Sequence, residues 1–146
     1  MAKAKERLGS FFRVTLGGKE SIGVFREVSG LGSETELTEE RGVDDKGRPV
    51  VHKIPGALKW NDITLKRGLT DNLDLWNWRR QVEEKGPDDA RLDGTIELLD
   101  STGKPITTYK FTRGWPSKYQ GPDLSAGSNE VAIETIEITH EGLERS

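Results

Sequence analysis

The fold class is decided by the stretch Ile106-Thr-Thr-Tyr-Lys-Phe-Thr-Arg113, in which the side chains change character at every second residue. One face of an extended chain would carry Thr107, Tyr109 and Phe111. The other face would carry polar side chains throughout: Thr108, Lys110 and Thr112. This alternation predicts a β-strand that is apolar on one side and solvated on the other.

Turn-forming residues before this strand make it the second half of a hairpin. Thr95 to Leu99 has the composition of a strand, and Asp100-Ser-Thr-Gly103 supplies residues that favour a tight turn. Trp115-Pro116 is expected to end the return strand, because proline has no N–H to donate to a ladder. A loop is then expected as far as Gly127.

The period-two pattern recurs along the rest of the chain. Further strands are predicted over residues 11–16, 24–31, 63–67 and 129–140, with a hairpin joining the first two. In the last stretch the pattern slips, because Val131 and Ile133 share one face whereas Ile136 and Ile138 share the opposite one. The slip predicts a bulge near Glu134–Thr135 or burial of both faces at different points.

One amphipathic helix of about 15 residues is predicted between the strands. Its apolar positions recur at helical spacing: Leu75, Trp78 and Val82. Thr70 or Asp71 would cap the N-terminus, Asp74 would place negative charge in the first turn, and Gly86-Pro87 would end the helix. Six or so strands and one helix favour a mainly β fold, a small antiparallel barrel or sandwich with the helix over one opening.

Residues 32–56 interrupt this pattern with a stretch rich in Gly, Glu, Asp and Lys that ends at Pro55-Gly56. So long a segment with few apolar anchors is unusual inside a compact domain and is commonly functional. We expect it to project from the domain, with an extended portion around residues 34–40.

Composition excludes several classes of protein. The net charge of −3 and a pI near 5.5 argue against a nucleic-acid binder. The absence of cysteine excludes disulfides, thiolate metal sites and a cysteine nucleophile. No apolar run is long enough to span a membrane, and the charged start does not resemble a secretory signal. With 32% hydrophobic residues the core is expected to be modest, so association between copies would stabilise the fold.

No catalytic or metal-binding constellation can be assembled from the polar residues. His52 and His140 have no further His or Cys at ligand spacing, so each is expected to be exposed or at an interface rather than to bind a metal. Asp100-Ser-Thr-Gly103 departs from the turn of an aspartic protease by one inserted residue and fits a hairpin turn better. The acids from Asp44 lack the closing glutamate of a calcium loop. We therefore expect no enzyme activity and no cofactor.

The four tryptophans offer a different alternative. Trp76 and Trp78 would point about 200° apart on the helix, so one is expected inside and the other against a loop, the sheet or a neighbouring subunit. Trp60 and Trp115 could cap the ends of the barrel or form a sugar platform. The residues alone thus leave open an oligomerising β-domain whose exposed edges pair between copies in a ring, or a monomeric carbohydrate- or protein-binding β-domain.

Longer motifs resemble one family. They are Phe25-Arg-Glu-Val-Ser-Gly-Leu31, Ile54-Pro-Gly56 ahead of Asp62-Ile-Thr-Leu-Lys-Arg-Gly68, Leu75-Trp-Asn-Trp78, Trp115-Pro-Ser-Lys-Tyr-Gln-Gly-Pro-Asp-Leu124, Ser128-Asn-Glu-Val-Ala-Ile-Glu-Thr-Ile136 and His140-Glu-Gly-Leu143. Together they resemble the tail tube proteins of contractile phages and phage-derived injection systems. The resemblance extends over about residues 10–145, leaving a flexible N-terminus at residues 1–9 and one domain at residues 10–146.

The resemblance implies a structural subunit of the inner tube. Six copies would form a ring in which the strands join into one continuous barrel around a lumen, and the rings would stack into a tube for cargo or DNA. The partners implied are further copies, a sheath protein, and baseplate and terminator proteins, with no direct membrane insertion. The chain would be made in the bacterial cytoplasm and act within a phage tail or injection particle, remaining inside the cell or released by lysis.

On the basis of this resemblance we hypothesise three sets of surface residues. The arm at residues 32–56 would contact the adjacent ring through Glu34, Glu36, Glu39, Glu40 and Arg41. The helix would face the sheath through Asp74, Arg79, Arg80 and Glu83. The lumen would be lined by the polar strand face: Thr108, Lys110 and Thr112.

Overall fold

The structure is a computed structural model that describes residues 9, 11–17, 21–124, 127 and 132–146. The described residues form strands, one α-helix and a short 3-10 turn. In chain order the elements are β1 (Phe11–Leu16), β2 (Ser21–Phe25), β3 (Glu27–Ser29), β4 (Ser33–Val43), β5 (Pro49–Trp60), β6 (Ile63–Gly68), α1 (Asp74–Lys85), the 3-10 turn (Asp88–Ala90), β7 (Leu92–Leu99), β8 (Pro105–Gln120), β9 (Ile133–Thr139) and β10 (Gly142–Arg145). Apart from Gly9, the N-terminus predicted to be flexible lies outside the described residues, as do residues 129–131 of the predicted last strand.

Antiparallel pairing dominates the architecture. Hydrogen-bonded neighbours follow the order β2-β1-β7-β8-β9-β6-β3, with β10 added beside β8, while β4 and β5 form a separate ribbon. The mainly β fold with one helix is therefore confirmed. The predicted barrel is not closed within one chain over the described residues, because β2 and β3 end the path and form no ladder with each other. The arrangement is a bent sheet folded over on itself.

Strand β8 joins the two halves of this sheet. Its first part pairs with β7 and β10, and its second part pairs with β9. Between them Arg113 adopts a positive φ of 50° and its N–H donates to Asp93 Oδ1 over 2.9 Å. The prediction that Trp115-Pro116 ends the strand is wrong, since Pro116 lies opposite Ile138. A register irregularity after Pro116 accommodates the missing N–H.

The core lies between the two halves of the sheet. β6 shows the expected alternation, with Ile63 and Leu65 fully buried. The largest buried apolar side chains come from both halves of the sheet and, in the case of Leu75, from α1: Val14, Phe25, Ile63, Leu65, Leu75, Ile96, Phe111, Pro116, Ile136 and Ile138. Strand pattern and burial agree here because each of these strands has one face against the core.

The unbroken strand predicted over residues 24–31 is interrupted. Arg26 leaves the ladder, and its N–H donates to the carbonyl of Lys66 over 3.1 Å. The interruption shifts the alternation by one residue, so that Phe25 and Val28 both pack in the core while Val24 is 51% exposed. The two short strands can therefore pair with different partners, β2 with β1 and β3 with β6.

The slipped pattern near the C-terminus has a different cause from the predicted bulge. β9 pairs with β6 in continuous register from Ile133 to Ile138. Glu134, Ile136 and Ile138 all face inward and are buried, whereas Ile133 lies on the outer face. A charged residue thus occupies a core position. The short strand β10, which the sequence did not indicate, follows and pairs with β8.

Helix α1 begins later than predicted. Neither Thr70 nor Asp71 caps it; Leu73 occupies the cap position without a side-chain hydrogen bond, and Asp74 is the first helical residue. Leu75 and Trp78 are buried as expected, and Trp78 Nε1–H donates to the carbonyl of Ala90 over 2.8 Å. No helix among the described residues is long and apolar enough to cross a membrane.

Two strand glycines make room for the ring of Phe111. A Cβ at Gly94 would lie 2.3 Å from Phe111 Cζ, and one at Gly114 would lie 2.5 Å from Phe111 Cε2. We therefore expect Gly94→Ala to lower the free energy of unfolding by about 1–3 kcal/mol, the usual cost of overpacking a core. Urea unfolding measures the change. Gly142→Ala in β10 is the matched control, because no described residue other than its two chain neighbours comes within 4 Å of its Cβ position. Equal losses for both variants would contradict the prediction.

Candidate assembly surfaces

The segment predicted to project from the domain is a two-stranded β-ribbon, which we call the arm. It consists of β4, β5 and the turn at residues 44–48, and these strands pair only with each other. The arm extends to Trp60, beyond the predicted limit at residue 56. Pro55-Gly56 lies inside β5, opposite an irregularity between Thr35 and Leu37, and does not end the arm.

The arm tip is closed by Asp44. Its Oδ1 accepts hydrogen bonds from the N–H groups of Lys46 and Arg48 at 2.9 and 2.8 Å, and its Oδ2 lies 2.9 Å from Arg48 Nε. The bond from the Arg48 N–H contributes most to holding the pKa of the Asp44 carboxyl below its usual value. Asp44 therefore has a structural role in the turn.

The five charged residues assigned to the arm are all exposed but do not form one surface. Directly opposite residues of an antiparallel pair share a face. Glu39 and Arg41 lie on one face of β4, whereas the other three, Glu34, Glu36 and Glu40, lie on the opposite face. Lys59 Nζ lies 3.9 Å from Glu34 Oε1 across the ribbon, an exposed pair of small expected energy.

Sequence reasoning missed the apolar residues of the arm. Leu37, Val43, Val51 and Leu58 share a face and are 55–70% exposed. We call this set the apolar arm face. Leu37 and Val43 lie an even number of positions apart, which places them on the same face of a strand. This could have indicated an apolar face, but the glutamates around Leu37 obscured the pattern. The same face also carries Glu39, Arg41 and Lys53 between its apolar side chains. An isolated two-stranded ribbon is marginally stable in water.

The arm root is held to the body by hydrogen bonds and by contact with the buried His140. Asn61 N–H donates to the carbonyl of Gly32 over 3.1 Å. His140, expected to be exposed or at an interface, is 7% exposed within the chain. Its Nε2 lies 2.9 Å from the carbonyl of Asn61 and its Nδ1 lies 3.0 Å from that of Gly142. Trp60 packs on His140 with ring centroids 5.9 Å apart. The arm therefore leaves the body at a defined place.

The residues assigned to the lumen lie on the side of β8 that faces away from the core. Lys110 and Thr112 are exposed and Thr108 is partly exposed, while Phe111 between them is buried. Neighbouring strands extend the same polar surface with alternating charge: Arg13, Thr95, Glu97 and Glu144. The Arg13 guanidinium contacts Glu97 at 3.0 Å. We call this surface the polar sheet face.

The helix residues assigned to the sheath divide into two groups. Asp74, Arg80 and Glu83 are exposed, and Arg80 contacts Glu83 at 3.5 Å. Arg79 is partly buried and donates from Nη1 to the carbonyl of Pro116 over 2.8 Å. Arg79 thus holds α1 against β8, and its guanidinium is already engaged within the chain.

A buried polar network links the sheet to the helix start. Arg67 and Glu134 are 4% and 3% exposed and form an ion pair between β6 and β9. Arg67 Nη1 also donates to the carbonyl of Ile22 over 2.9 Å, and its guanidinium lies over the Phe25 ring. Tyr119 O–H donates to Glu134 Oε2 over 2.7 Å. Each buried charge is therefore partnered, which such groups require.

Tyr119 gives this network a pH dependence. Burial, followed by the hydrogen bond to Glu134, raises the pKa of Tyr119 to about 12. An unfolded tyrosine ionises near pH 10, so between pH 10 and 12 the unfolded state binds fewer protons and the free energy of unfolding falls as pH rises. We expect the unfolding free energy of Tyr119→Phe to fall by about 1–2 kcal/mol less over this pH range than that of the wild-type protein. This figure is smaller than the full pKa shift would give, because Tyr119 is partly exposed to solvent. Urea unfolding at several pH values measures it; identical pH slopes for both proteins would contradict the assignment.

The other tryptophans are engaged within the chain. Trp115 is partly buried, with the Arg91 guanidinium 6.0 Å from its ring centroid. Trp76 is 48% exposed, and its ring lies nearly perpendicular to that of Tyr119 with the centroids 5.4 Å apart. Neither Trp60 nor Trp115 therefore presents a fully exposed ring to a sugar.

Comparison with known families matches residues 10–144 to the family described as T4-like virus tail tube protein gp19. The chain belongs to this tail tube family. The resemblance read from the sequence motifs is thereby confirmed. A search of curated proteins gave no match.

Solved structures share the tail tube fold. A chain of the sheath-tube complex of an extracellular contractile injection system, PVC, in the extended state is 24% identical with a TM-score of 0.72, covering 94% of this chain and 88% of that one. A chain of the anti-feeding prophage baseplate is 21% identical with a TM-score of 0.75, covering 100% and 97%. Hcp1 from Flavobacterium johnsoniae is 20% identical with a TM-score of 0.55, covering 92% and 94%. At these identities the likeness establishes the fold.

Proposed function

We propose that this tail tube protein is the structural subunit of the inner tube of a contractile injection particle, in which six copies form a ring and the rings stack around a lumen. The observation that carries the proposal is the arm. Its apolar face is exposed in the single chain and its strands pair only with each other. Stacked rings supply the second molecule that such a ribbon needs for stability.

Ring closure would use the ends of the bent sheet. β2 and β10 are the outer strands of the half that contains β1 and β7, and β3 is an outer strand of the half that contains β6 and β9. Exposed edges of this kind pair readily with another chain. A head-to-tail contact between different edges of successive subunits closes into a ring when the rotation allows it, and it would join the strands into one continuous barrel.

The character of the subunit's surfaces supports one orientation in the tube. The polar sheet face, with its threonines and alternating charges, suits a water-filled lumen through which cargo or DNA passes. The exposed side of α1, with Asp74, Arg80 and Glu83, would then face the sheath. Baseplate and terminator proteins would meet the two ends of the tube. The related chains come from a sheath-tube complex, a baseplate and a sheath/tube terminator, which supports these partners. Assembly would take place in the bacterial cytoplasm.

Electron microscopy of the purified protein at high concentration tests the proposal, together with sedimentation to size the soluble species. We expect six-fold rings or hollow tubes. A chain that stays monomeric at every concentration, and also when co-expressed with the sheath and baseplate proteins of its own particle, would overturn the proposal. Saturable glycan binding by that monomer would favour a binding module.

A further inference from the structure

The arm joins the body at a break between two strand ladders. β3 pairs with β6, and farther along the same two segments of chain β4 pairs with β5. Residues 30–32 and 61–62 lie between the two ladders, and we call them the hinge. Gly30 adopts a positive φ of 82°, and a Cβ there would clash with the carbonyl oxygen of Asp62. Because the ladders are not continuous across the hinge, the direction of the arm depends on the contacts made there.

His140 makes one such contact between the hinge and the body. Its Nε2 lies 2.9 Å from the carbonyl oxygen of Asn61 in the hinge, and its Nδ1 lies 3.0 Å from that of Gly142 in β10. The ring also contacts Trp60 and Phe111, with centroids 5.9 and 6.3 Å away. His140 therefore connects the arm root to both β8 and β10.

Two carbonyl contacts on one imidazole depend on its protonation state. A neutral imidazole has one N–H, whereas the doubly protonated ring has two, and a carbonyl oxygen only accepts. Only the charged ring can therefore donate to Asn61 and Gly142 together. The neutral ring leaves one carbonyl without this donor, and at 7% exposure solvent does not readily replace it. The charged ring in turn loses hydration on burial. Each state carries a cost, and a change in pH can move a histidine between them.

The ionisable side chains on the elements around His140 are engaged with other groups. Asp62 Oδ1 accepts from Thr139 Oγ1 over 3.1 Å, and Glu141 contacts Arg113 at 3.0 Å. Others pair within the chain or lie on the polar sheet face: Lys59, Arg91, Lys110, Glu144 and Arg145. The two carbonyl oxygens are thus the groups in direct contact with the ring nitrogens.

We propose that His140 is a protonation-dependent lock on the hinge of the arm. The doubly protonated ring donates to both Asn61 and Gly142 and holds the arm in one direction. The neutral ring donates to only one of them, so the arm samples a wider range of directions once His140 loses its proton. The lock operates within a single chain and goes beyond the proposed tube function. An arm of fixed direction loses less conformational freedom on association, so protonation is expected to favour assembly.

The direction of the arm can be measured as a distance between two spin labels, because the natural chain has no cysteine. Lys46→Cys in the arm tip and Ser101→Cys in the β7–β8 turn carry the labels at exposed positions. Pulsed EPR is recorded on unassembled subunits mixed with excess unlabelled chain. Between about pH 5 and pH 8, where histidine ordinarily changes charge, we expect the distance distribution to become at least about twofold wider. The Lys85→Cys/Ser101→Cys pair has both labels on the body and should not change.

His52 is a reference within the same chain, since the chain has two histidines and His52 is exposed on β5. NMR spectra of isotope-labelled histidine follow the protonation of each ring, and His52→Gln assigns the two signals. The widening must accompany the loss of a ring proton from His140. The lock is overturned by a widening that follows His52 instead, by an unchanged width while His140 loses its proton, or by a His140 ring that keeps one protonation state throughout.

His140→Gln separates the lock from a purely structural role. Glutamine keeps an amide donor but cannot change its charge, so the width of the distance distribution should no longer depend on pH. His52→Gln should behave like the wild-type protein, and urea unfolding checks that both variants fold. A pH-dependent width in folded His140→Gln would overturn the lock; if that variant does not fold, the wild-type spectra and distances decide. Because the distances are measured in unassembled subunits, an absence of tubes would overturn the proposed function alone.

Discussion

Removal of the arm is expected to abolish tubes. The variant lacks residues 34–59 and joins Ser33 to Trp60 through an Asn-Gly turn, which suits these directly opposed residues. The arm contributes no side chain to the buried apolar core of the described chain. The shortened chain should therefore fold with nearly unchanged stability and give soluble subunits or single rings. Electron microscopy and sedimentation measure assembly, and urea unfolding confirms the fold.

Two smaller variants identify which part of the arm is responsible. Leu37→Ser/Leu58→Ser removes aliphatic surface from the apolar arm face, whereas Glu34→Gln/Glu40→Gln removes charge from the opposite face. We expect the first to reduce assembly far more, because burial of apolar area drives most association between proteins. Normal tubes from the arm deletion would contradict the role of the arm. A stronger effect from the glutamines would instead place the contact on the acidic face.

Loss of the buried arginine is expected to cost about 3–5 kcal/mol of unfolding free energy in Arg67→Met, because it leaves Glu134 as an uncompensated charge in the core. The carbonyl of Ile22 also loses a donor. Replacing both partners, in Arg67→Met/Glu134→Leu, should recover much of the loss, since a buried ion pair and an apolar pair of similar volume often differ little. Urea or thermal unfolding measures all variants.

The control for this prediction is Arg80→Met on the surface of α1. Arg80 also has carboxylate partners, with Glu84 Oε1 2.9 Å from its Nη2, but the pair is exposed. Such pairs contribute about 0–1 kcal/mol. If Arg67→Met proved as stable as Arg80→Met, the ion pair would not support the fold in the way its burial indicates.

Local periodicity accounts for the parts of the fold that sequence reasoning predicted correctly. β1, β6 and the β7–β8 hairpin follow from alternation, because one face of each strand meets the core and the other does not. The hairpin turn follows from Asp100, whose Oδ1 accepts from Thr102 N–H and Lys104 N–H at 2.8 and 2.9 Å. The core face of α1 follows from the spacing of Leu75 and Trp78. The ordered motifs between residues 10 and 144 also identified the family.

Errors arose where a residue's role depends on a distant part of the chain. Glu134 breaks the apolar pattern of β9 because its partner, Arg67, is 67 residues away. β8 continues through Trp115-Pro116 because β9 lies beside it. The polar stretch after Gly32 becomes a ribbon because β5 pairs with β4 over its whole length. None of these pairings is visible in a local window of sequence.

The sequence by itself determined the fold class, the family and the polar character of the β8 face that lies away from the core, because these depend on local alternation and on ordered motifs. The tertiary structure alone decided which charges are buried, where the arm leaves the body and which apolar side chains stay exposed on it. Those properties depend on long-range strand pairing, which determines the neighbours of each side chain. Because the apolar side chains of the arm stay exposed in the single chain, a second copy of the chain is the expected partner.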